Sequence, residues 1–309
     1  MIKVYDAHCD YPWALLKMEK DTSFAPQNSP EHLLTGGVAL QVMAAWCGDA
    51  KKEAACGAAT LQKIKAYRRF LTREAQRVTP VLSRDDLQSE GPGRILTLLA
   101  IEGGEALEGK LEQVEAYFRL GVRMLGLTWN WNNSLAGGAK EDGGLTAFGR
   151  AVLREMRTLH MIPDLAHLNA RSFWDVLEND PYPPFVSHGN VRALCEHPRN
   201  LTDAQIKAII SAGGFIGVNF YPSFLRADDE NSGIEDVVAH ILHILQLGGQ
   251  NCVGLGSDFD GMDVLPKGID GPQHFQCILH ALGEAGLKAA CIRRIAYGNL
   301  KRYLYDNLP

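Results

Sequence analysis

The feature that most limits the fold of this chain is an alternation repeated along its length. Short, nearly continuous apolar runs rich in β-branched residues are each followed by an amphipathic stretch. The runs that read as strands span residues 2–5, 38–46, 95–101, 122–128, 162–166, 184–187, 215–220 and 253–257. Strands that are apolar on both faces suit a parallel sheet covered by helices. Period alone does not separate a short apolar run from buried helix, so the intervening signals matter. Thr202-x-x-Gln205 is a capping-box pattern that opens a helix, and Gly213–Gly214 stops it. Residues 55–71, 146–160, 169–177, 234–247, 273–282 and 288–303 read as further helices. Eight strands alternating with helices, without a linker or composition break, predict an α/β fold: a single (β/α)8 TIM-type barrel over residues 1–309. The competing fold, an open doubly wound sheet, lacks a G-x-G-x-x-G after the first strand.

Composition narrows the functional classes. The 309 residues are 46% hydrophobic and 22% charged, enough apolar surface for a large core. A net charge of −5 gives no reason to expect nucleic acid or an anionic membrane as partner. Seven cysteines without a C-x-x-C pair indicate neither a disulfide framework nor a thiolate zinc site. The N-terminus MIKVYDAHCD does not read as a signal peptide and no spanning run is present, so a cytoplasmic location is the expectation.

In such a barrel the active site forms at the C-terminal ends of the strands. Candidate ligands fall there. His8 and Asp10 lie two apart after the first strand, so in extended chain both side chains face one way. Glu102 ends the third strand and is followed by two glycines. His167 follows the fifth, His188 the sixth, and Asp258 and Asp260 the eighth. Imidazole and carboxylate in this mixture suit zinc or a similar divalent ion. Strand alternation leaves Asp258 and Asp260 on one face and does not choose between them. The loop 132–144, with four glycines, reads equally as a mobile active-site loop or a plain surface connection.

Taken in order, AHCD, IEGG, DLAH, VSHGNVRAL, HPRNLTD, GVNFYP and GLGSDFDG resemble the membrane (renal) dipeptidase family, dinuclear-zinc metallopeptidases of the amidohydrolase type. The likeness runs from the first strand to Gly298-Asn299. It implies a dipeptidase with two Zn2+ or similar divalent cations: His8 and Asp10 holding one ion, His167 and His188 the other, and Glu102 bridging them. It also implies that Asp258 accepts the proton of the attacking water, leaving Asp260 to support the turn. Arg199, on position alone a surface arginine before a capped helix, becomes the binder of a free C-terminal carboxylate, which guanidinium grips bidentately. Tyr221 reads evenly as a substrate contact or a packing aromatic. The resemblance admits a C-terminal D-residue in the substrate, and a homodimer.

One departure is important. Where the renal-type enzymes carry a histidine that can bond the substrate carbonyl, this chain reads Leu127-Thr128-Trp129-Asn130. Trp129 offers one indole donor and a large apolar face, and Asn130 is a candidate replacement donor. This keeps open hydrolysis of another carboxylate-bearing amide or lactam, and, from a different class, a barrel that binds metal or peptide without turnover. His240 and His243 share a helix face but have no carboxylate cluster with them at a strand end, and read as helix-packing or exposed residues. His32, His160, His197, His274 and His280 have no assembled partners in the sequence, and residues 63–73 read as a solvated basic helix face.

Overall fold

The computed structural model describes residues 1–48 and 53–309. Nine strands are present among them: β1 (Val4–Asp6), β2 (Val38–Trp46), β3 (Val78–Pro80), β4 (Ile95–Glu102), β5 (Val122–Gly126), β6 (Ile162–Asp164), β7 (Phe185–Val186), β8 (Phe215–Val218) and β9 (Val253–Leu255). All pairings are parallel. Eight strands close into a ring in the order β1, β2, β4, β5, β6, β7, β8, β9, with β9 returning to β1 through Asp6 and Leu255. The expected (β/α)8 barrel is the fold.

Alternation along β4 shows how the ring is filled. Leu96, Leu98 and Ala100 belong to the apolar cluster that also takes in Leu40, Val42 and Ala44 of β2, with Phe185 and Phe215. Ile95, Leu99 and Ile101 belong instead to the cluster containing the helix residues Ile64, Phe70, Val152 and Ile241. Period two therefore divides one strand between the barrel interior and the surrounding helix layer. Continued by one step, the inward series ends on Glu102. The helix Asn299–Asn307 supplies Leu300, Tyr303 and Leu304 to the interior cluster, and Tyr303 Oη donates to Pro183 O at 2.6 Å. It plugs the end of the barrel away from Glu102.

Three details differ from the sequence reading. β3 was not expected. β4 runs from Ile95, but β5 joins it only at Leu99, which leaves the edge of residues 95–97 free. Val78–Pro80 fills that edge, and Pro80 hides it in the sequence because proline argues against a strand. Several strands also stop about two residues short of the apolar run. At the tops of β6 and β7 side chains take over from the ladder: Asp164 Oδ1 accepts from Ala166 N (3.1 Å) and Ser187 N (2.9 Å). The helix read at 288–303 is interrupted by a wider π turn over Arg294–Gly298. Just beyond it Asn299 Nδ2 donates to Gln250 O (3.1 Å) and Val253 O (2.8 Å), tying the plug to β9.

Other local readings hold. Thr202 and Gln205 form the reciprocal capping box. His240 is buried, its Nδ1 accepting from Val191 N (3.0 Å) and its Nε2 donating to Leu225 O (2.9 Å), while His243 pairs with Asp203 at 2.8 Å. The basic face at 63–73 needs one correction, because Lys63 is buried with its ammonium 5.9 Å from the ring of Trp46. No helix among the described residues is long and apolar enough to cross a membrane.

The wall is tightest where β8 and β9 pass the top of β7. A Cβ on Gly256, or on Gly217 beside it, would overlap the carbonyl oxygen of Ser187. Gly256→Ala is expected to lower stability by about 1–3 kcal/mol through overpacking. Chemical denaturation of the metal-free protein measures it, and a loss below about 0.5 kcal/mol, the usual scatter of a surface change, would show that the wall yields.

Candidate active site

Each candidate side chain enters the site from a strand end. Glu102 completes the inward face of β4. Gly103 follows with φ +101°, and a Cβ there would strike Cys47 Sγ, so the chain turns away directly beneath the carboxylate. Cys9 bridges to Phe259, which brings the turn after β1 against the turn after β9 and sets His8 and Asp10 beside Asp258. His167, Asp258 and Asp260 adopt φ of +69°, +68° and +67°. Left-handed backbone costs a non-glycine residue about 1–2 kcal/mol, and three of the five such residues among those described lie here. Strain collected at strand tops marks a place where side-chain aim outweighs backbone comfort.

The resulting geometry is a chain of donors around Glu102. Oε2 lies 3.7 Å from His8 Nε2, whereas Oε1 lies 2.7 Å from His167 Nε2 and 3.6 Å from His188 Nε2. The two latter nitrogens are 3.0 Å apart. His8 Nε2 is also 3.5 Å from Asp10 Oδ2 and 3.7 Å from Asp258 Oδ1. Behind this layer, His167 Nδ1–H donates to Asn130 Oδ1 (2.9 Å), leaving Nε2 as a lone-pair donor toward the site. His188 Nδ1 shares a hydrogen bond with Ser187 Oγ (2.8 Å), and Asn219 Nδ2 donates to Asp258 Oδ2 (2.9 Å).

Electrostatics show what this arrangement suits. Burial, then Asp10 and Asp258, pushes the Glu102 carboxyl well above the usual carboxylate range. Burial raises Asp258 to about 6, with Asp10 adding to it. Burial holds His167 and His188 far below an ordinary imidazole. Burial would lower His8 too, but Glu102, Asp10 and Asp258 outweigh it and bring it to about 10. Buried like charge of this kind calls for cations. His8 Nε2 and Asp10 Oδ1 are buried without a hydrogen-bond partner. His8, Glu102 and His188 bring their ligand atoms within 4.8 Å of one another, as do His8, Asp10 and Asp258. The residues fit divalent ions held by nitrogen and oxygen.

Above them opens a cavity of about 540 Å3 lined by Glu102, Trp129, Asn130, Arg199, Tyr221 and Asp258, among others. Arg199 is buried. Its Nη2 reaches His188 O at 3.5 Å, its Nε has no partner, and burial lowers its pKa to about 10 despite the pull of Asp258 and Glu102. A buried guanidinium with free donors is a seat for an anion. Asp260, by contrast, is engaged: it accepts from Gln27 N (2.7 Å), Asn28 N (3.1 Å) and Asn28 Nδ2 (2.9 Å), fixing the loop beside it. Trp129 forms a wall of the cavity, its ring 5.3 Å from Trp46.

A family model for membrane dipeptidases (peptidase family M19) matches residues 1–306. The chain belongs to that family. An uncharacterized dipeptidase of Schizosaccharomyces pombe is 34% identical over 213 residues, 67% of this chain; the chain spans only 52% of that longer protein. The crystal structure of the dipeptidase AC, an M19 metallopeptidase, superposes with a TM-score of 0.93 at 25% identity, covering 99% of both chains. A metallopeptidase from Rhodobacter sphaeroides, solved with a phosphinate mimic of the dipeptide L-Ala-D-Ala, gives 0.91 at 25% identity, again over 99% of both. This member of the M19 family is a metal-dependent hydrolase of the dipeptidase class.

The structure brings His8, Asp10, Glu102, Trp129, Asn130, His167, His188, Arg199, Tyr221 and Asp258 together at one end of the barrel, with Asp260 beside them. The sequence reading missed several others. Trp46 lies on the inward series of β2 and was detectable by counting in twos. His197 was set aside as unpartnered, yet it lines the cavity and its Nδ1 accepts from Arg199 N at 3.1 Å. Lys140, from the glycine-rich loop, also lines it and had no local signal. Asn130, read as a substrate donor, lines the cavity and also presents its Oδ1 to His167 Nδ1 at 2.9 Å. Asn130→Ala should weaken metal binding about 10–100-fold, as loss of an outer partner to a ligating histidine does. Titration of the metal-free protein tests this, and an unchanged affinity would remove Asn130 from any supporting role.

Proposed function

We propose that the chain, acting as one catalytic unit over residues 1–309, is a two-zinc dipeptidase that requires a free C-terminal carboxylate and accepts a D-residue at that position. The observation that carries this reading is the placement of Glu102, one carboxylate oxygen facing His8 and the other facing His167 and His188. A carboxylate with two occupied sides is suited to bridge a pair of ions. His8 and Asp10 would hold one and His167 and His188 the other. When bound, the pair supplies Lewis acidity, polarising the amide carbonyl and making water a better nucleophile near neutral pH.

The protein's own residues set the rest. Acids and cation enter from different strands of the ring: Asp10 and Asp258 come from the tops of β1 and β9, whereas Arg199 follows β7, with β8 between β7 and β9. A dipeptide laid across the opening directs its ammonium toward the acids and its carboxylate toward Arg199. Asp258, held by Asn219, takes the proton of the attacking water and returns it to the leaving amine. Tyr221, tilted 44° against Phe224 with ring centroids 4.7 Å apart, closes the Arg199 side. The phosphinate mimic bound by the Rhodobacter sphaeroides protein supports a D-residue at the C-terminal position.

A second reading has a specific basis. Trp129 offers an apolar wall where the renal-type enzymes carry a carbonyl-bonding imidazole, which favours hydrolysis of another carboxylate-bearing amide. Metal content per chain, with turnover on a panel of dipeptides of both stereochemistries, separates the two. Cleavage of acylated amino acids but of no dipeptide would discard the dipeptidase reading.

Asp258→Asn should retain metal and lose about 10²–10⁴-fold in turnover; unchanged turnover would take Asp258 out of the proton path. Arg199→Met should raise KM for free dipeptides about 100-fold while leaving C-terminally amidated ones equally poor substrates for both proteins, since a buried charged hydrogen-bond pair contributes about 2–3 kcal/mol. An equal loss on both substrate types in steady-state assays would rule out carboxylate recognition by Arg199.

A further inference from the structure

We propose that Lys140 is a specificity-determining residue that selects dipeptides whose C-terminal residue carries an acidic side chain, an inference that rests on the dipeptidase reading above. Lys140 lines the cavity together with Arg199 and His197. Its position is fixed by backbone rather than by chance of a long side chain. Lys140 N donates to Asn130 O at 3.0 Å, and Ala139 N donates to His167 O at 2.8 Å. The loop is braced again where Gly138 N donates to Asn132 Oδ1 (3.1 Å) and Asn169 Nδ2 donates to Glu141 O (2.8 Å). The segment that the sequence left open between a mobile loop and a plain connection is a shelf tied to the site floor.

The charge on that shelf is available. The ammonium of Lys140 sits 5.2 Å from the ring of Trp131, and the adjacent acid, Glu141, is engaged by Asn132 N at 2.7 Å. Its field reaches His197, where it adds to burial and Arg199 in lowering the imidazole. The ring order places it well. The Lys140 shelf hangs on the tops of β5 and β6, across the ring from β9 and β1, which carry Asp258 and Asp10. The C-terminal half of a bound dipeptide therefore meets two cations.

One carboxylate does not need both. Arg199 is buried and forked, suited to the α-carboxylate, whereas Lys140 is an exposed point charge on a flexible stem, suited to a group that projects outward. The group that projects from a C-terminal residue toward the rim is its side chain. The cavity that Lys140 lines is also walled by Trp46 and Trp129, so an ion pair formed inside it is screened less than one on an open surface.

The experiment compares kcat/KM of the metal-loaded enzyme on alanyl-alanine, alanyl-aspartate, alanyl-glutamate and alanyl-lysine, with both C-terminal stereochemistries. The wild-type protein is expected to favour the acidic dipeptides over the neutral one by about three- to tenfold, the worth of a partly desolvated ion pair. Lys140→Met, which keeps the apolar stem, should collapse that ratio to near one, chiefly through KM. Lys140→Glu should invert it in favour of alanyl-lysine. A wild-type preference for neutral dipeptides, or a Lys140→Met loss equal on acidic and neutral substrates, overturns the proposal and leaves the dipeptidase reading intact. A wild-type protein that cleaves no dipeptide but does cleave another amide removes both.

Discussion

Asp10, Glu102 and Asp258 each place a carboxylate oxygen within 3.7 Å of one buried nitrogen of His8, and the three acids crowd into one buried cluster beside the guanidinium of Arg199. Such a cluster is tolerable only if the protein around it is rigid enough to resist the repulsion, and only useful if positive charge completes it. Both conditions shape the structure. The backbone accepts left-handed residues at His167, Asp258 and Asp260 to aim side chains inward. The hydrogen bonds that end β6 and β7 come from Asp164, so the ladder gives way to side chains where the site begins. The apolar interior below, sealed by Tyr303 and Leu304, supplies the cohesion that the upper layer lacks.

The barrel was legible because its physics is local and periodic. Parallel strands covered on both sides must be apolar throughout, and helices between them must announce their ends, as Thr202 and Gln205 do. The cluster was legible for a related reason. In this fold a residue just past a strand is at the top of the barrel, so His8, Glu102, His167, His188 and Asp258 could be assigned to one end without knowing any distance.

What escaped the sequence depends on relations that no period encodes. β3 exists because β4 outruns β5, a fact about two strands at once. Lys63 looked solvated because the basic residues after it, Lys65, Arg68 and Arg69, are exposed, yet it is buried against Trp46. His197 seemed unpartnered because its partner is the backbone of Arg199. The contact of Asn130 with His167, 37 residues away in the chain, escaped because it depends on how two strand tops meet. Lys140 is a lysine in a polar loop until the bond from its backbone to Asn130 brings it to the rim.

The closure of the ring between β1 and β9 sets an order on how the molecule is made. The first strand leaves the ribosome early and waits for a neighbour some 250 residues behind it, with only β2 as an early partner. The helix that plugs the interior comes later still. Through most of synthesis the inward faces of β2 and β4 are exposed at the bottom of an unclosed sheet, the state in which parallel proteins are slow to fold and prone to associate. Asp10 and Glu102 can meet on the early β1–β2–β4 sheet, but Asp258 joins them only when β9 reaches β1. Completion of the acid cluster therefore coincides with barrel closure, and an ion that stabilises the first also favours the second.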